Sequence, residues 1–464
     1  MNTIQRVFLT RLGSDIIKKT GHPRHCCPPF TLKYIQALLL RDNYEVRLID
    51  CMVKSVSLPQ LIENSLSWMP ELIVVKADFL CYKNVIKYAQ EIKKIKNVFI
   101  ILIIQGIKLI DEKLDCLFDL ILSGEVEQQV VYLIKMINQG KSVEEVKEGY
   151  SGAKKTLFLV ENLDKLPFPV NELAELKEYG LNYPLKINQK VVWGHILSSR
   201  GCPHKCIFCS SLTRYSFGRK IRLRDSANVV EEIQYLIKQG ANVISFDDDD
   251  FTASSENIIS ICKEMKNRHL HIPWIAHARI DEVDMELLKS MAQAGCVLLR
   301  MGVESGSGKI LRILEKNDSY IDWIKQAKFI FKAARKLKIA TLALFIIGNP
   351  CERKDDFQAS IQLAENLDPD MIQIHFFTPY PDSIAYRKFR LQINPEKNEM
   401  YHYTNPQVKM SDFDINTLIK MRAFFYHKIL FKPKFIFRHL KDYSMFYLHN
   451  LNVFKNLFQI RHIL

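Results

Sequence analysis

The sequence predicts an α/β protein with an N-terminal doubly wound domain, a partial barrel of β/α units and a basic, helical C-terminal region. Two observations predict this fold class. Short runs of aliphatic and β-branched residues alternate with amphipathic runs over residues 7–137 and again over residues 191–380, a rhythm typical of parallel sheets covered by helices. The rhythm then stops after Tyr386, where basic and aromatic residues become frequent.

The N-terminal third alternates predicted strands with predicted helices. The strands are residues 7–10, 45–49, 72–76, 98–104 and 119–122, and the helices are residues 32–40, 58–67, 84–94 and 126–137. This order favours a parallel sheet with helices on both faces, a fold that binds ligands beyond the carboxyl ends of its strands. We assign residues 1–139 to this domain and residues 140–185, which glycine and proline interrupt repeatedly, to a linker.

The predicted core, residues 186–384, repeats a strand and then a helix six times. The predicted strands are residues 191–198, 243–247, 274–278, 297–302, 341–347 and 371–377. Six units rather than eight predict an open, partial β/α barrel. Polar motifs fall just after these strands, at the end where barrel enzymes build their active sites, so the pattern predicts an enzyme.

The most informative motif is SSRGCPHKCIFCSS, residues 198–211, which follows the first strand of this core. Cys202, Cys206 and Cys209 are spaced CxxxCxxC. Three thiolates suit an iron–sulfur cluster and leave one iron of a 4Fe-4S cluster open to a small molecule. The alternatives are a disulfide pair, chance clustering or a zinc site, for which His204 is too close in sequence to complete a tetrahedron comfortably.

The cysteine motif, with the aromatic residue Phe208 directly before its third cysteine, resembles the signature of the radical S-adenosylmethionine (radical SAM) superfamily. The resemblance implies that Cys202, Cys206 and Cys209 hold a 4Fe-4S cluster. It also implies that S-adenosylmethionine binds the open iron through its amino and carboxylate groups. In that family the reduced cluster cleaves the sulfonium and yields a 5'-deoxyadenosyl radical.

An acidic run and an arginine follow the next two strands. The run SFDDDDFT resembles the family's acidic motif for the methionine amino group, which implies roles for Asp248 and Asp249; a solvated acidic turn or a helix cap is the alternative. Arg279 ends the third strand, where it can pair with a carboxylate through two hydrogen bonds.

Two further segments resemble parts of the family's S-adenosylmethionine site. RMGVESGS resembles the segment that recognises ribose and methionine, which implies roles for Arg300, for Glu304 as an acceptor of sugar hydroxyls and for Ser305 as a secondary contact. A structural salt bridge is the alternative for Arg300. IIGNPCE implies that Gly348 lets the backbone approach the adenine, but Cys351 stands where the family usually has glycine.

The N-terminal domain resembles the cobalamin-binding domain that precedes many radical SAM cores. Residues 28–51 resemble its opening helix and strand, and residues 119–134 resemble its closing strand, turn and helix. The resemblance implies bound cobalamin. Two features depart from the family: Gly106 stands alone where a glycine pair is usual, and no DxHxxG motif offers an axial histidine. The alternative is a domain that no longer holds a corrin.

The amino-acid composition limits which cellular compartment and which partners the protein can have. Eleven cysteines at irregular spacing favour a reducing cytoplasm. The longest apolar run, residues 98–104, is far shorter than the roughly 20 residues that span a membrane, and we see no signal peptide. The formal net charge of +14 is compatible with an acidic partner. We therefore predict a cytoplasmic protein.

The C-terminal region, residues 385–464, is basic and aromatic. Residues 415–464 hold nine lysines and arginines and eleven phenylalanines and tyrosines, but only one acid, Asp442. We expect first a helical cap that packs on the barrel, then peripheral contact with the inner face of a membrane through residues 415–464. Binding of single-stranded nucleic acid ranks last.

The resemblance is closest to the cobalamin-binding branch that includes anaerobic magnesium-protoporphyrin monomethyl ester cyclase and radical C-methylases. It implies a radical enzyme that methylates an unactivated carbon of a hydrophobic or natural-product substrate, with an external electron donor such as flavodoxin or ferredoxin. One alternative is radical cyclisation or carbon–carbon bond formation without net methyl transfer. Another is an iron–sulfur electron carrier or binding protein without turnover.

Overall fold

The computed structural model describes residues 3–13, 26–53, 56–77, 79–95, 98–104, 112–142, 144–146, 148, 158–209, 217–317, 319–380, 383–389, 402, 404 and 408–451. The chain forms two compact units: unit 1 is Met1–Tyr179, Ser210–Arg222 and Pro381–Glu399, and unit 2 is Gly180–Cys209, Leu223–Tyr380 and Met400–Leu464. The Gly106 loop and residues 452–464 of the predicted membrane-binding tail lie outside the described residues.

Unit 1 is a five-stranded parallel sheet with the strand order β2-β1-β3-β4-β5. Its strands are β1 (Arg6–Arg11), β2 (Glu45–Asp50), β3 (Leu72–Ala77), β4 (Phe99–Ile104) and β5 (Leu120–Ser123). Its helices are α1 (Phe30–Arg41), α2 (Leu58–Ser67), α3 (Tyr82–Ile95), α4 (Glu112–Leu117), α5 (Glu127–Asn138) and the single turn α6 (Leu173–Leu176). The order is that of a doubly wound fold, as the sequence predicts.

The local sequence explains these elements. Every residue of β4, FIILII, is buried, as expected for a strand that helices cover on both faces. The side chain of Ser57 accepts from the backbone of Gln60, whose own side chain accepts from the backbone of Ser57, and this capping box begins α2. Helix α4 has six residues, too few to show a helical period, and was not predicted.

Unit 2 is a six-stranded parallel sheet with the strand order β13-β12-β11-β10-β9-β6. Its strands are β6 (Trp193–Ile196), β9 (Val243–Phe246), β10 (Trp274–Ala278), β11 (Cys296–Glu304), β12 (Ala340–Ile347) and β13 (Met371–Phe376), and the short strands β7 (Ser199–Arg200) and β8 (Arg222–Leu223) lie between the first two along the chain. Strands that are consecutive along the six β/α units are neighbours in the sheet, as an open, partial barrel requires.

The helices after these strands match the predicted pattern. They are α7 (Ser226–Lys238), α8 (Ser255–Asn267), α9 (Met285–Gln293), α10 (Gly308–Ile313), α11 (Tyr320–Lys336) and α12 (Lys354–Leu367), followed by α13 (Ile384–Lys388), α14 (Ile415–Leu430) and α15 (Pro433–His449). Predicted and observed strand bounds differ most for β6, which is confined to Trp193–Ile196. The polar residues that follow it belong to the site loop instead.

Helix α14, in the C-terminal region, packs on the sheet and on helix α12 of unit 2. Phe425 is fully buried, and its ring centroid lies 5.2 Å from that of Phe345 in β12 and 5.8 Å from that of Phe357 in α12. The backbone N–H of Ile374 in the edge strand β13 donates to the hydroxyl of Tyr426 at 3.0 Å. The helix therefore covers a sheet edge that would otherwise be open. Among the described residues, no helix is long and apolar enough to cross a membrane.

Candidate active site

The cysteine loop follows β6 and β7 and is fixed to the rest of unit 2 by its backbone. The N–H of Ile207 donates to the carbonyl of Leu314, just after α10, at 3.0 Å, and the N–H of Cys209 donates to the carbonyl of Cys206 at 3.3 Å. Cys206 is buried, Cys202 and Cys209 are half-buried, and none of the three forms a disulfide. The loop thus brings three thiols together on one anchored turn.

Arg279 reaches this loop from the end of β10. Its Nη1 lies 3.5 Å from the sulfur of Cys206 and donates to it. Two further bonds, of 3.0 and 2.8 Å, join the guanidinium to both carboxylate oxygens of Asp281, and a third joins it to the carbonyl of Lys316 at 3.0 Å. The carboxylate expected for Arg279 is therefore its own neighbour, and the guanidinium also stabilises a negative charge on Cys206.

A second network holds the middle of the cysteine loop. The Nε2 atom of His204 lies 2.6 Å from Oε1 of Glu282 and 3.0 Å from Oδ2 of Asp250. Burial lowers the pKa of His204, but the hydrogen bonds with Asp250 and Glu282 outweigh it and raise the pKa to about 8. His204 is thus positively charged at neutral pH and clamps the loop to the ends of two strands. The sequence contained no signal for Glu282.

The thiol of Cys202 lies 3.7 Å from the same carboxylate of Asp250. Burial, followed by the negative charge of Asp250, raises the pKa of Cys202 to about 12. Without a metal the sulfur therefore keeps its proton, whereas a bound iron would displace it. The loop chemistry fits a metal centre better than a reactive free thiol.

The aspartates of the acidic run are at least half-buried, and each has its own partners, so the solvated acidic turn is the wrong interpretation. Oδ2 of Asp247 lies 2.6 Å from Nδ1 of His195. Burial raises the pKa of Asp247, but the charge of His195 outweighs it and brings the pKa to about 2. Asp249 accepts a long bond of 3.4 Å from the N–H of Gly201, and burial raises its pKa to about 7.

Asp248 is the most deeply enclosed of the four. Its Oδ1 atom accepts from the hydroxyls of Ser198 and Ser199, at 3.0 and 2.7 Å, and from the N–H of Ser199. Its Oδ2 atom is buried and has no hydrogen-bond partner among the described residues. Burial raises its pKa to about 6. A cation or N–H donor at Oδ2 would complete its hydrogen bonding.

Arg300 is buried beneath the acidic run. Its Nη2 atom lies 3.3 Å from the carbonyl of Phe246 and 3.6 Å from Oδ1 of Asp247, and its guanidinium stacks over the ring of Tyr183 at 5.7 Å. Its Nε atom has no partner within the described part of the chain. The distance to Asp247 makes the salt bridge long, so a structural ion pair explains this arginine incompletely.

Glu304 ends β11 in an unusual backbone conformation, with φ of +65°. Its carboxylate accepts from the ammonium group of Lys316 at 3.1 Å, and both side chains are 7% exposed. The ammonium group also lies 5.6 Å from the ring of Trp323, which the guanidinium of Arg279 approaches at 6.0 Å. Sequence reasoning missed Lys316 and Trp323, because neither belongs to a motif or follows a strand.

The remaining expected residues position backbone. The hydroxyl of Ser305 is buried, lies 3.1 Å from the hydroxyl of Ser360 and accepts from the N–H of Ser307 at 3.1 Å, so it holds the turn after β11. Gly348 has φ of +74°, and a Cβ atom there would lie 3.2 Å from the side chain of Leu418. Phe208 is half-buried in the cysteine loop.

This set of donors fits the expected groups. Three thiols in one loop, none of them in a disulfide, with an arginine donating to one sulfur, suit an iron–sulfur cluster. The buried atoms Oδ2 of Asp248 and Nε of Arg300, which have no partner among the described residues, suit a ligand that carries an amino group and a carboxylate. The carboxylate of Glu304 suits hydroxyl groups.

Comparisons with known proteins agree with this chemistry. Residues 196–364 match the family model of the Radical SAM superfamily. The chain is 26% identical to an uncharacterized methyltransferase of Pyrococcus horikoshii, over 90% of this chain and 91% of that protein. It is 24% identical to the anaerobic magnesium-protoporphyrin IX monomethyl ester cyclase of Rubrivivax gelatinosus, over 88% of this chain and 75% of that protein.

The fold is also similar to a solved structure. The radical S-adenosylmethionine methyltransferase TsrM of Kitasatospora setae, with cobalamin and a [4Fe-4S] cluster bound, superposes with a TM-score of 0.65 at 16% identity. The match covers 82% of this chain and 77% of that chain. At this identity the similarity establishes the fold, including the order of a doubly wound sheet and a barrel along one chain.

Proposed function

We propose that this chain, which belongs to the radical SAM superfamily, binds a 4Fe-4S cluster and S-adenosylmethionine in unit 2 and methylates an unactivated carbon of a hydrophobic or natural-product substrate with the help of cobalamin. The observation that carries the proposal is the anchored loop that brings together three cysteines without a disulfide, with Arg279 donating to the sulfur of Cys206. When bound, the cluster and S-adenosylmethionine supply a carbon radical, and cobalamin supplies the methyl group.

Each residue of the site has a task in this proposal. Cys202, Cys206 and Cys209 ligate three irons. Arg279 lowers the negative charge around Cys206 by its hydrogen bond, and His204 holds the loop against Asp250 and Glu282. Such hydrogen bonds and charges around the sulfurs are the protein's means of setting a cluster's reduction potential.

The other carboxylates and cations orient S-adenosylmethionine. We assign Asp248, with Asp249 beside it, to the amino group, because Oδ2 of Asp248 is buried and lacks a partner among the described residues. Arg300 is assigned to the carboxylate on the same ground. Glu304, held by Lys316, is assigned to the ribose hydroxyls, and the backbone at Gly348 to the adenine.

Cobalamin is assigned to unit 1. The doubly wound order of its sheet favours a ligand beyond the carboxyl ends of its strands, and the related TsrM structure holds cobalamin. Methyl transfer is favoured by the name of the Pyrococcus relative. Ring closure without net methylation is the second candidate, because the relative from Rubrivivax is a cyclase.

The partners follow from this chemistry. The substrate is a small, lipid-like or hydrophobic molecule, and an external donor such as flavodoxin or ferredoxin supplies the electron. We place the protein in the cytoplasm, with peripheral contact between the C-terminal region and the inner membrane face. None of the site residues named above is assigned to the electron donor or to the membrane.

The test is anaerobic purification after growth with cobalamin, with iron, sulfide and corrin quantified for the wild type and for Cys206→Ala. Cys262→Ala is the matched control, because Cys262 is also buried but lies in α8. We expect one cluster and one corrin in the wild type and the control, and no cluster in Cys206→Ala. The reduced wild type should convert S-adenosylmethionine to 5'-deoxyadenosine.

The possible outcomes separate the candidates. A cluster without corrin would exclude methyl transfer through cobalamin and favour cyclisation. A cluster that forms no 5'-deoxyadenosine with any reductant would favour a non-catalytic electron carrier. Absence of a cluster from both the wild type and the control would refute the proposal as a whole.

A further inference from the structure

Helix α15 is fixed to unit 2 by one of its faces. Phe435, Tyr443 and Phe446 are buried on that face. Arg438 donates to the carbonyl of Pro369 at 2.6 Å, and Nε2 of His439 lies 2.8 Å from the carbonyl of Asp370. These bonds set the rotation of the helix about its axis. The opposite face is therefore exposed because of how the helix packs, and not because the helix frays.

The opposite face is apolar. Phe437 and Leu440 are each 68% exposed and Leu448 is 65% exposed, and Leu451, two positions beyond the helix, is 58% exposed. The spacing of three and eight residues keeps Phe437, Leu440 and Leu448 on one side of α15. Exposed apolar side chains gathered in this way mark an interaction site rather than the scattered apolar residues that any surface carries.

The charges on α15 are divided between the two faces. Its single acid, Asp442, lies on the inner side, where its carboxylate is 3.1 Å from the ammonium group of Lys186. Lys441 is exposed within the apolar stripe, whereas the ammonium group of Lys434, at the start of the helix, pairs with Asp368 at 2.6 Å. The outward face therefore combines apolar side chains with the basic Lys441, a composition that suits the interface of an anionic bilayer.

We propose that the outward face of α15, formed by Phe437, Leu440, Lys441 and Leu448, rests on an anionic phospholipid surface together with Leu451 just beyond the helix. This inference deepens the proposed function, because it names the surface from which a lipid-like substrate would reach the enzyme. The helix lies on the bilayer and does not cross it, in keeping with the lack of a membrane-spanning helix among the described residues.

A second copy of the chain fits this face less well. A two-fold contact places the same patch on both partners, so Lys441 of each copy would enter an interface to which the outward face of α15 contributes no acid. An anionic lipid surface, by contrast, supplies the missing charge, and each basic side chain near such a surface contributes about 1 kcal/mol of attraction. Charge complementarity therefore decides for the membrane.

The experiment is flotation of the full-length, anaerobically purified protein with vesicles of phosphatidylcholine alone or with phosphatidylglycerol. The outward-face variant is the triple substitution Phe437→Ser, Leu440→Ser and Leu448→Ser. The matched control is Ile321→Ser with Phe329→Ser, two apolar side chains of α11 that are 64% and 45% exposed. Lys441→Gln tests the charge.

We expect the wild type and the control to float with the vesicles that contain phosphatidylglycerol, less so at high salt. The triple variant should bind at least tenfold more weakly, and Lys441→Gln about fivefold more weakly, the equivalent of about 1 kcal/mol. No binding of the wild type to anionic vesicles, or equal binding of the triple variant, would overturn the inference. A dimer in sedimentation analysis that the triple variant abolishes would assign the face to a second copy instead.

The same preparations separate this inference from the proposed function. Iron content and 5'-deoxyadenosine formation report the cluster and its cofactor, and neither depends on vesicles. The triple variant should retain both at the wild-type level, because α15 contributes no residue to the cysteine loop or its networks. Loss of vesicle binding with full cluster content therefore isolates the docking face.

Discussion

Charged side chains gather at the carboxyl ends of both sheets, but the two groups are built differently. In unit 1, Arg11 at the end of β1 makes bonds of 2.9 and 2.5 Å to the carboxylate of Asp50 at the end of β2. Tyr179 donates to the same carboxylate at 3.0 Å, and the N–H of Met52 does so at 3.0 Å. Both oxygens of this carboxylate, and Nε and Nη2 of this guanidinium, are therefore hydrogen-bonded inside the protein.

In unit 2 the groups at the strand ends are incompletely paired. Oδ2 of Asp248, Nε of Arg300 and Oε1 of Glu352 are buried and lack a hydrogen-bond partner among the described residues. Burial raises the pKa of Asp248 to about 6 and that of Glu352 to about 7. Unpaired buried polar atoms favour a functional site, so the comparison sets a structural lock in unit 1 against a candidate ligand site in unit 2.

Backbone conformation follows the same division. Within the described ranges, most non-glycine residues with positive φ follow helices, for example Asn43 after α1 and Lys338 after α11, where a left-handed residue ends a helix at little cost. Glu304 and Cys351, with φ of +65° and +60°, instead follow strands of unit 2. Strain held at a strand end is a feature of functional sites.

Breaking the lock of unit 1 should have the largest effect. Asp50→Ala leaves the largely buried guanidinium of Arg11, 17% exposed, without its carboxylate, and should lower the free energy of unfolding by about 3–5 kcal/mol. Urea unfolding followed by circular dichroism measures the loss. Glu91→Ala, which removes an exposed ion pair with Lys94, is the control and should cost less than about 1 kcal/mol. Equal effects would show that Asp50 is no lock.

The sequence predicted the parts of this comparison that local patterns encode. The parallel sheets follow from alternating apolar runs, and Cys202, Cys206 and Cys209 from their spacing after a strand. Gly348 and Glu304 could be placed at strand ends for the same reason. The end of each strand and the start of the polar motif that follows it can be read from the sequence alone.

Tertiary pairing could not be predicted in the same way. Lys316 lies between two helices and reaches Glu304 only because α10 turns the chain back. Glu282 and Asp250 are far apart in sequence and meet at His204. Such pairs leave no periodic signal, because each depends on the packing of separate elements rather than on the residues beside it.

The second-largest effect concerns the pH dependence of stability, which tests a buried carboxyl group of unit 2. Glu352 is fully buried, and burial raises its pKa from the ordinary 4.5 to about 7. The folded protein therefore keeps this proton up to about pH 7, whereas the unfolded chain loses it near pH 4.5. This contribution to stability is complete below pH 4.5 and is lost as the pH rises to about 7, by about 3 kcal/mol.

Glu352→Gln cannot titrate and should lack this loss. Urea unfolding of the wild type and the variant at pH 5 and pH 7.5 measures the difference between the two slopes. Glu365→Gln is the control, because Glu365 lies on the next helix, is 33% exposed and pairs with Lys432 at 2.9 Å. Parallel pH profiles for the wild type and Glu352→Gln would show that Glu352 ionises normally in the folded protein.

The pair of Lys316 and Glu304 should affect ligand binding more than fold. Lys316→Met leaves the buried carboxylate of Glu304 without the ammonium group that holds it in place, so the carboxylate is less well positioned to accept hydrogen bonds from hydroxyl groups. We expect S-adenosylmethionine to bind about tenfold more weakly, a loss of about 1.4 kcal/mol. Anaerobic titration calorimetry on cluster-loaded protein measures this.

Lys309→Met is the matched control for that substitution. Lys309 lies in α10, is 41% exposed and pairs with Asp356 at 2.5 Å, so it offers an ion pair of the same type outside the site. Its loss should leave the affinity for S-adenosylmethionine unchanged. If Lys316→Met and Lys309→Met bind S-adenosylmethionine equally well, Lys316 contributes only to the fold and has no part in the candidate site of unit 2.

The smallest effect should come from the strained turn after β12. Cys351 is exposed and has φ of +60°, a conformation that costs a non-glycine residue about 1 kcal/mol and glycine almost nothing. The gain is partly cancelled because glycine makes the unfolded chain more flexible. Cys351→Gly should therefore be about 0.5 kcal/mol more stable than Cys351→Ala in urea unfolding.

At Cys116, exposed in α4, the sign should reverse, because glycine costs about 1 kcal/mol relative to alanine within a helix. The same order of stability at both positions would mean that the turn holds no strain, and that the backbone after β12 is as relaxed as the strand ends of unit 1.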